Sequence, residues 1–414
     1  MQIKSDAQKM IKRIIADNMP GDTTVRALKK HKFKGKIYMI AIGKAAWTMA
    51  HAAAGVLGKR LEKGIVVTKY NHCEGQIKGV EIYEAGHPVS DKNTILATEK
   101  CIELAKSLTE EDELLFLISG GGSALFEAPY PGIALEDIQD VTGQLLAKGA
   151  DIVEMNMVRK RFSMVKAGRF AKMAAPAQVF AIVLSDVLGD RLDSIASGPV
   201  APDGSIVKEA FKVVDKYEIK LTDMQHKYLS EETPKKVDNV KTVITGSVNT
   251  LCGSAAKTAE ELGYSPFVLT TAMNCEAREA GRLLAAIAAD TKSGRSSFRG
   301  PCAIIAGGET VVTIKGGGMG GRNQELALSA ANGIAGLDKV IIFSLGSDGT
   351  DGPTDAAGGM VDGETLNTLK GQGLDIDEIL ANNDSYNGLK AAGGLIITGP
   401  TGTNVNDVAV VLCS

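Results

Sequence analysis

The sequence predicts an α/β protein: a Rossmann-like, largely parallel N-terminal sheet domain followed by a smaller α/β C-terminal domain with a mixed sheet. Three observations predict it. Short apolar runs that end at small or turn-forming residues alternate with helical stretches along the chain. Several of these runs are apolar almost throughout, the pattern of strands covered on both faces by crossover helices. Glycine reaches 47 of 414 residues while aromatic residues stay at 5%, which suits tightly turned β-α units rather than aromatic stacking platforms.

In chain order, residues 1–15 mix apolar side chains with Lys, Asp and Arg, which predicts an amphipathic helix and no signal peptide. Strands are expected at Lys36–Ile42, Gly64–Thr68, Val80–Ala85, Leu114–Ser119 and Val179–Ser185, with the alternating Val80–Ala85 at an edge. The chain turns polar from Leu221 to Asn239, and a fresh strand-turn-helix unit begins at Lys241–Gly246. The domains are therefore drawn as residues 1–239 and 240–414. Further strands are expected at Ser265–Thr270, Ala303–Ile305, Thr310–Ile314, Val340–Leu345, Leu395–Thr398 and Val408–Leu412. No internal period indicates a repeat architecture.

A formal charge of −3 with interleaved signs gives no basic stripe for nucleic acid. No apolar run approaches the roughly 20 residues that cross a bilayer. The six cysteines lie far apart without C-x-x-C spacing, which reads as reduced thiols in a cytoplasmic protein. Small-molecule partners are expected, and homo-oligomerisation is left open.

The chemistry concentrates at strand ends. Ser119, Gly120, Gly121, Gly122 and Ser123 follow an apolar strand; glycines allow close backbone approach and φ > 0, a following helix N-terminus favours negative charge, and Ser123 adds a donor, so the turn suits nucleotide phosphates. Lys44 follows another strand and opens a helix, at the edge where open α/β sheets keep ligands. Asp186, Asp190 and Asp193 follow the strand Val179–Ser185. Asp186 and Asp190 suit a Mg²⁺ site that also uses phosphates, while Asp193 reads as a cap.

Residues 315–322 formally contain G-x-G-x-x-G, yet five glycines in seven positions match that pattern by chance. Lys315 and Arg322 instead suggest a flexible cationic loop that closes over negative charge. The acidic turn Gly346–Ala357 fits three readings: metal binding, orientation of Arg322, or Asx-turn structure. Arg159, Lys160, Arg161, Lys166 and Arg169 form the densest basic stretch. Spread over helix faces, most are expected in solvent, with one or two reaching a carboxylate or phosphate. His87 follows a strand without an acid or thiol nearby in sequence and reads as structural. Walker-type and protein-kinase motifs are absent.

Together these segments resemble the glycerate 2-kinase family, whose C-terminal part is the MOFRL domain. The resemblance spans nearly the whole chain through Gly43–Ala46, Gly86–Pro88, Ser119–Leu125, Asn156, Val158–Lys160, Leu184–Asp186, Ile195–Pro199, Gly307–Thr310, Gly320–Leu326, Asp348–Ala357, Asn383–Tyr386 and Thr398–Asp407. It implies ATP- and Mg²⁺-dependent transfer of the γ-phosphate to D-glycerate, with 2-phosphoglycerate as product, in a cleft between the domains. It also implies that Lys44 and Arg322 are active-site cations, that Asp186 is a catalytic or metal carboxylate, and that residues 119–123 contact nucleotide; Lys44, Arg159 and Arg322 are the expected substrate-binding residues. Departures from the family pattern are Arg161 for histidine, Ala167 for glycine, Ser90 for the second proline of G-H-P-x-P, and Gly388-Leu389 where aromatic residues follow N-D-S-Y. An NAD(P)-dependent hydroxypyruvate reductase and a non-catalytic nucleotide or metabolite sensor are the alternative functions.

Overall fold

The computed structural model describes residues 2–414; Met1, the first residue of the expected N-terminal helix, lies outside them. Two compact units divide the chain, residues 20–245 and residues 2–19 together with 246–414.

In the first unit, β1 (Lys36–Ile42), β2 (Leu61–Lys69), β3 (Val80–Ala85), β4 (Asp112–Ile118), β5 (Gln178–Leu184) and β6 (Val240–Gly246) line up as β3-β2-β1-β4-β5-β6. The pairs β2–β3, β1–β2, β1–β4 and β4–β5 are parallel. The chain winds outward in one direction from β1 and in the other from β4, so the crevice at their C-terminal ends is the topological switch point where such sheets bind ligands. Every residue of β4 is buried, as the apolar run Leu114–Ile118 requires, and the alternating β3 is an edge strand.

Beneath the end of β4, Phe116, Phe126 and Phe170 meet at ring separations of 5.0–5.8 Å. Each fully buried phenylalanine contributes about 1.5–3 kcal/mol, so the chain leaving β4 rests on a rigid base. A helical layer, Leu135–Ala147, Ile152–Arg159, Val207–Lys216 and Asp223–Leu229, has its own small core around Val141, Leu145, Val158 and Phe162. That core fixes the helix that ends in Arg159.

The second unit holds β7 (Ser265–Met273), β8 (Cys302–Gly308), β9 (Val340–Gly346), β10 (Gly358–Asp362), β11 (Leu395–Ile396) and β12 (Asp407–Cys413), ordered β11-β10-β9-β12-β8-β7. Only β7–β8 is parallel; the remaining pairs are antiparallel, which makes the sheet mixed. The strand expected at Thr310–Ile314 is not formed: Val311 makes one isolated bridge to Glu276, and Val311 and Ile314 are exposed. An unpredicted strand, β10, opens on Gly358-Gly359, where added Cβ atoms would collide with Ser344 and Leu389.

The division differs from the boundary drawn after residue 239 in two places. Strand β6 extends the first sheet beside β5, with the Val179 N–H donating to the Asn239 carbonyl at 2.8 Å. The helix Gln2–Asp17 belongs to the C-terminal unit, where Tyr264 donates to Asp6 at 3.2 Å and Ser254 to Asp17 at 2.9 Å. Among the described residues no helix is long and apolar enough to cross a membrane.

Candidate active site

Four loops meet at the C-terminal edge of the first sheet. After β1, the Lys44 N–H donates to the Gly120 carbonyl at 2.8 Å, so Lys44 and the glycine turn are fastened together. Ser119 is the brace: its hydroxyl donates to the Ile42 carbonyl (3.2 Å) and accepts from the Ala45 N–H (3.1 Å). That hydroxyl is therefore occupied between two loops, and a phosphate would meet the turn through backbone groups and Ser123.

The glycines are needed individually. A Cβ on Gly120 would lie 2.5 Å from a carboxylate oxygen of Asp186, and one on Gly122 would lie 2.8 Å from Ala196. Gly121 has φ +83°, and its Cβ would sit 2.8 Å from the His87 ring and 3.3 Å from the Lys44 stem, a left-handed position that glycine takes without strain. The structure thus brings Lys44, Gly120, Gly121, Asp186 and His87 together. The helix following the turn has only four residues, Gly122–Leu125, so the dipole expected to favour phosphate is small.

Ser123 begins a polar chain. Its hydroxyl lies 3.0 Å from that of Ser197, which lies 3.3 Å from Asn156 Oδ1, and Arg159 Nε donates to that same oxygen at 2.9 Å. Ala196 and Ser197 hold left-handed backbones, φ 50° and 61°, a local strain of the kind stored at functional sites. Burial pulls the Arg159 guanidinium below its ordinary pKa, against the opposing charge of Glu127. A cavity of about 570 Å³ is lined by His87, Gly121, Ser123, Asn156, Arg159 and Asp186, with apolar side chains including Leu135, Ile138 and Val187.

Burial, then the neighbouring Lys44, lowers the pKa of His87, leaving a neutral imidazole beside the cation. The sequence reading of His87 as structural missed this place on the cavity wall; its only sequence signal was the Gly86–Pro88 segment. Asp190 is not among the cavity-lining residues and has a left-handed backbone, φ 53°.

The basic stretch is not the solvated surface expected. Lys160, Arg161, Lys166 and Arg169 are buried because the chain leaves the helix after Arg159 and turns under the site. Lys160 pairs with Asp203 at 3.7 Å and Arg161 donates to the Glu231 carbonyl at 2.6 Å. Ala167, where the family pattern has glycine, is held at φ 54°.

In the C-terminal unit, Arg322 opens the helix Arg322–Ala330 and is already engaged. Its Nε and one Nη donate to Asp407 at 2.6 and 3.1 Å, and its other Nη donates to Glu309 at 2.9 Å. Burial works against its charge, but these carboxylates outweigh it and hold the guanidinium pKa above its usual range. Asp351 accepts from the Asn323 and Gln324 N–H groups at 3.1 and 2.8 Å, capping the same helix, and burial raises its pKa to about 6. Of the three readings of the acidic turn, Asp351 supports the structural one, as does Asp348, which accepts from the Thr350 N–H.

The glycine-rich loop preceding Arg322 is not loose. The backbone N–H groups of Lys315, Gly316, Gly317, Gly318 and Met319 donate to Asn383, Asn382 and Asp384. These five groups serve the fold, whereas a dinucleotide fingerprint presents them to pyrophosphate.

Residues 6–230 match a family described as a domain of unknown function (DUF4147), and residues 302–407 match the MOFRL family. A D-glycerate 2-kinase from Thermotoga maritima is 52% identical over 99% of this chain and 98% of its own. The chain belongs to the glycerate 2-kinase family. A crystal structure of a Thermotoga maritima glycerate kinase aligns with it at TM-score 0.96 and 52% identity, covering 99% of both chains. A relative from Agrobacterium vitis, 38% identical over 91% of this chain and 99% of its own, bears a provisional hydroxypyruvate reductase name.

Proposed function

We propose that this chain transfers the γ-phosphoryl group of ATP to D-glycerate, at hydroxyl two, giving 2-phosphoglycerate and ADP. It is a glycerate kinase, as membership of this family over its full length implies. The observation that carries the site reading is the convergence of Lys44, the glycine turn and Asp186 at the switch point of the first sheet. In the hydroxypyruvate reductase reading, the G-x-G-x-x-G segment would hold the dinucleotide; its backbone donors are tied to Asn382–Asp384.

In this reading, backbone groups of residues 119–123 and the Ser123 hydroxyl receive the nucleotide phosphates. Lys44 neutralises charge that develops on the transferring group, where positioning and electrostatics supply most of the rate. Arg322 has five N–H groups, three of them committed to Asp407 and Glu309, and its remaining two are what it offers to a phosphate. Arg159, anchored on Asn156, is assigned to the glycerate carboxylate. Asp186 accepts the proton of the attacking hydroxyl or carries the metal.

Among the described residues no cluster of three or more metal-ligating side chains exists. Mg²⁺ is commonly held by one or two carboxylates together with substrate phosphates, and Asp186 against Gly120 fits that donor set. Asp190 is the second assigned ligand, four residues along the same loop. The ion would polarise the phosphoryl oxygens. Six free thiols support a reducing compartment, and the cytoplasm is the compartment assigned. The test is ADP release with D-glycerate, Mg²⁺ and ATP, run beside NADH oxidation with hydroxypyruvate. Glycerate-dependent ADP release supports the kinase; NADH oxidation alone rejects it, and silence in both assays favours a sensor.

A further inference from the structure

A buried lysine lies directly under the glycine turn. Lys166 is 2% exposed, and its ammonium donates to the carbonyls of Ser123 (2.9 Å), Ala196 (3.3 Å) and Gly122 (3.5 Å). It therefore ties the turn after β4 to the left-handed turn at Ala196-Ser197. The adjoining backbone follows the same course: Ala167 N–H donates to Ser197 and Gly168 N–H to Gly198. The Phe126 ring centroid lies 6.0 Å from the ammonium.

What the ammonium lacks is a counter-ion. Lys160 pairs with Asp203, but among the described residues no carboxylate lies within ion-pair distance of Lys166. The charged groups that act on it are Glu127, Arg159 and Lys160, of which two repel it. Three carbonyls solvate the cation, and Glu127 alone attracts it, from beyond ion-pair distance; burying a charge with no carboxylate in contact is costly. A fold that keeps such a charge under a turn built for anions has placed it where an anion completes the pair.

We infer that Lys166 is a positioning residue for the phosphoryl-transfer reaction: it holds the glycine turn against the Ala196-Ser197 turn, and its buried positive charge is completed by the phosphates of the bound nucleotide. The inference rests on the reading of residues 119–123 as the nucleotide-phosphate turn. Burial, the largest influence, brings the free Lys166 ammonium down to about 8. In the free protein the amine then loses its proton in mildly alkaline solution, and the bound phosphates restore it. Nucleotide binding above that pH takes up a proton.

The test is titration of the full chain with MgADP. If only the protonated amine binds, affinity falls about thirty-fold between pH 7 and pH 9.5. At pH 8.5, calorimetry in two buffers of different ionisation enthalpy then reads uptake of about 0.8 protons per ADP. Lys166→Arg keeps the charge and many of the donors, does not titrate in this range, and is expected to abolish both the pH dependence and the proton uptake. A purely structural lysine would alter stability without moving either readout in this way.

Absence of proton uptake by the native chain overturns the inference without recourse to a variant, as does an equal pH dependence in Lys166→Arg. Gly121→Ala separates this from the underlying reading. If it retains native ADP affinity, the turn is not the phosphate site and both ideas fall. If it loses ADP while the native chain shows no pH dependence, the turn stands and only Lys166 is removed.

Discussion

Replacing Arg322 with alanine tests stability as directly as it tests chemistry. The Asp407 side chain is 4% exposed and takes two hydrogen bonds from this guanidinium, whereas that of Glu309 is 44% exposed. Removing one partner of a buried ion pair costs about 3–5 kcal/mol, and the exposed Glu309 arm adds about 0–1 kcal/mol. Arg322→Ala should therefore lose about 3–5 kcal/mol at pH 7 in urea denaturation of the full chain. The loss should depend on pH with a defined sign. Burial already raises the Asp407 pKa with Arg322 in place; removing the guanidinium, which opposes that rise, raises it further, so the variant gains more stability than the native chain as the carboxyl takes up a proton on acidification. The deficit shrinks on acidification from pH 7, by about 1.4 kcal/mol for each unit by which the folded-state pKa of Asp407 in the variant exceeds that in the native chain. Arg322→Lys, keeping the charge without the two-pronged contact, should lose less stability while turnover still falls, since the planar fork is what aligns the remaining donors. A stable Arg322→Ala variant at pH 7, or a deficit unchanged at pH 5, refutes this account of the pair.

Three further outcomes follow from the geometry. Gly120→Ala places a Cβ 2.5 Å from an Asp186 oxygen; steady-state kinetics should show kcat reduced about 100-fold by a displacement of this kind, with an unchanged circular dichroism spectrum. Arg159→Ala should raise the KM for glycerate about 10- to 100-fold, the loss of a charge-assisted hydrogen bond, with a smaller effect on the KM for ATP. Asp351 has its folded-state pKa raised by burial to about 6, so its stabilising contribution is full below its unfolded value and lost as pH rises through about 6. Native stability relative to Asp351→Asn should therefore fall by about 2 kcal/mol between pH 4 and pH 6, measured by denaturant titration at each pH.

Much of the fold was legible because parallel strands buried on both faces must be apolar throughout. That single constraint exposed β1, β4 and β5, and the alternation of β3 marked it as an edge. Pattern failed where a neighbour decides the outcome. Val311 and Ile314 look like strand residues but find only one bridge partner, while Gly358-Gly359 looks like a turn yet opens β10 because it pairs with β9, where the Ser344 backbone leaves Gly358 no room for a Cβ. Amphipathicity identified the helix Gln2–Asp17 but not the surface it covers, which is set by Ser254 and Tyr264 about 240 residues away. At the candidate site, the glycines, Lys44 and Asp186 stood out because strand ends are where such chemistry sits. The brace formed by Ser119, the Asp407 clamp on Arg322 and the burial of Lys166 did not, since each depends on residues distant in the chain.

Product identification tests the central claim most directly. The full-length chain, incubated with D-glycerate, Mg²⁺ and ATP, is followed by ³¹P and ¹³C NMR. The account predicts ADP and 2-phosphoglycerate in equal amounts, with the new phosphorus coupled to carbon two. Phosphorus on carbon three would contradict the assigned position, and ATP left intact beside unchanged glycerate would contradict the activity itself.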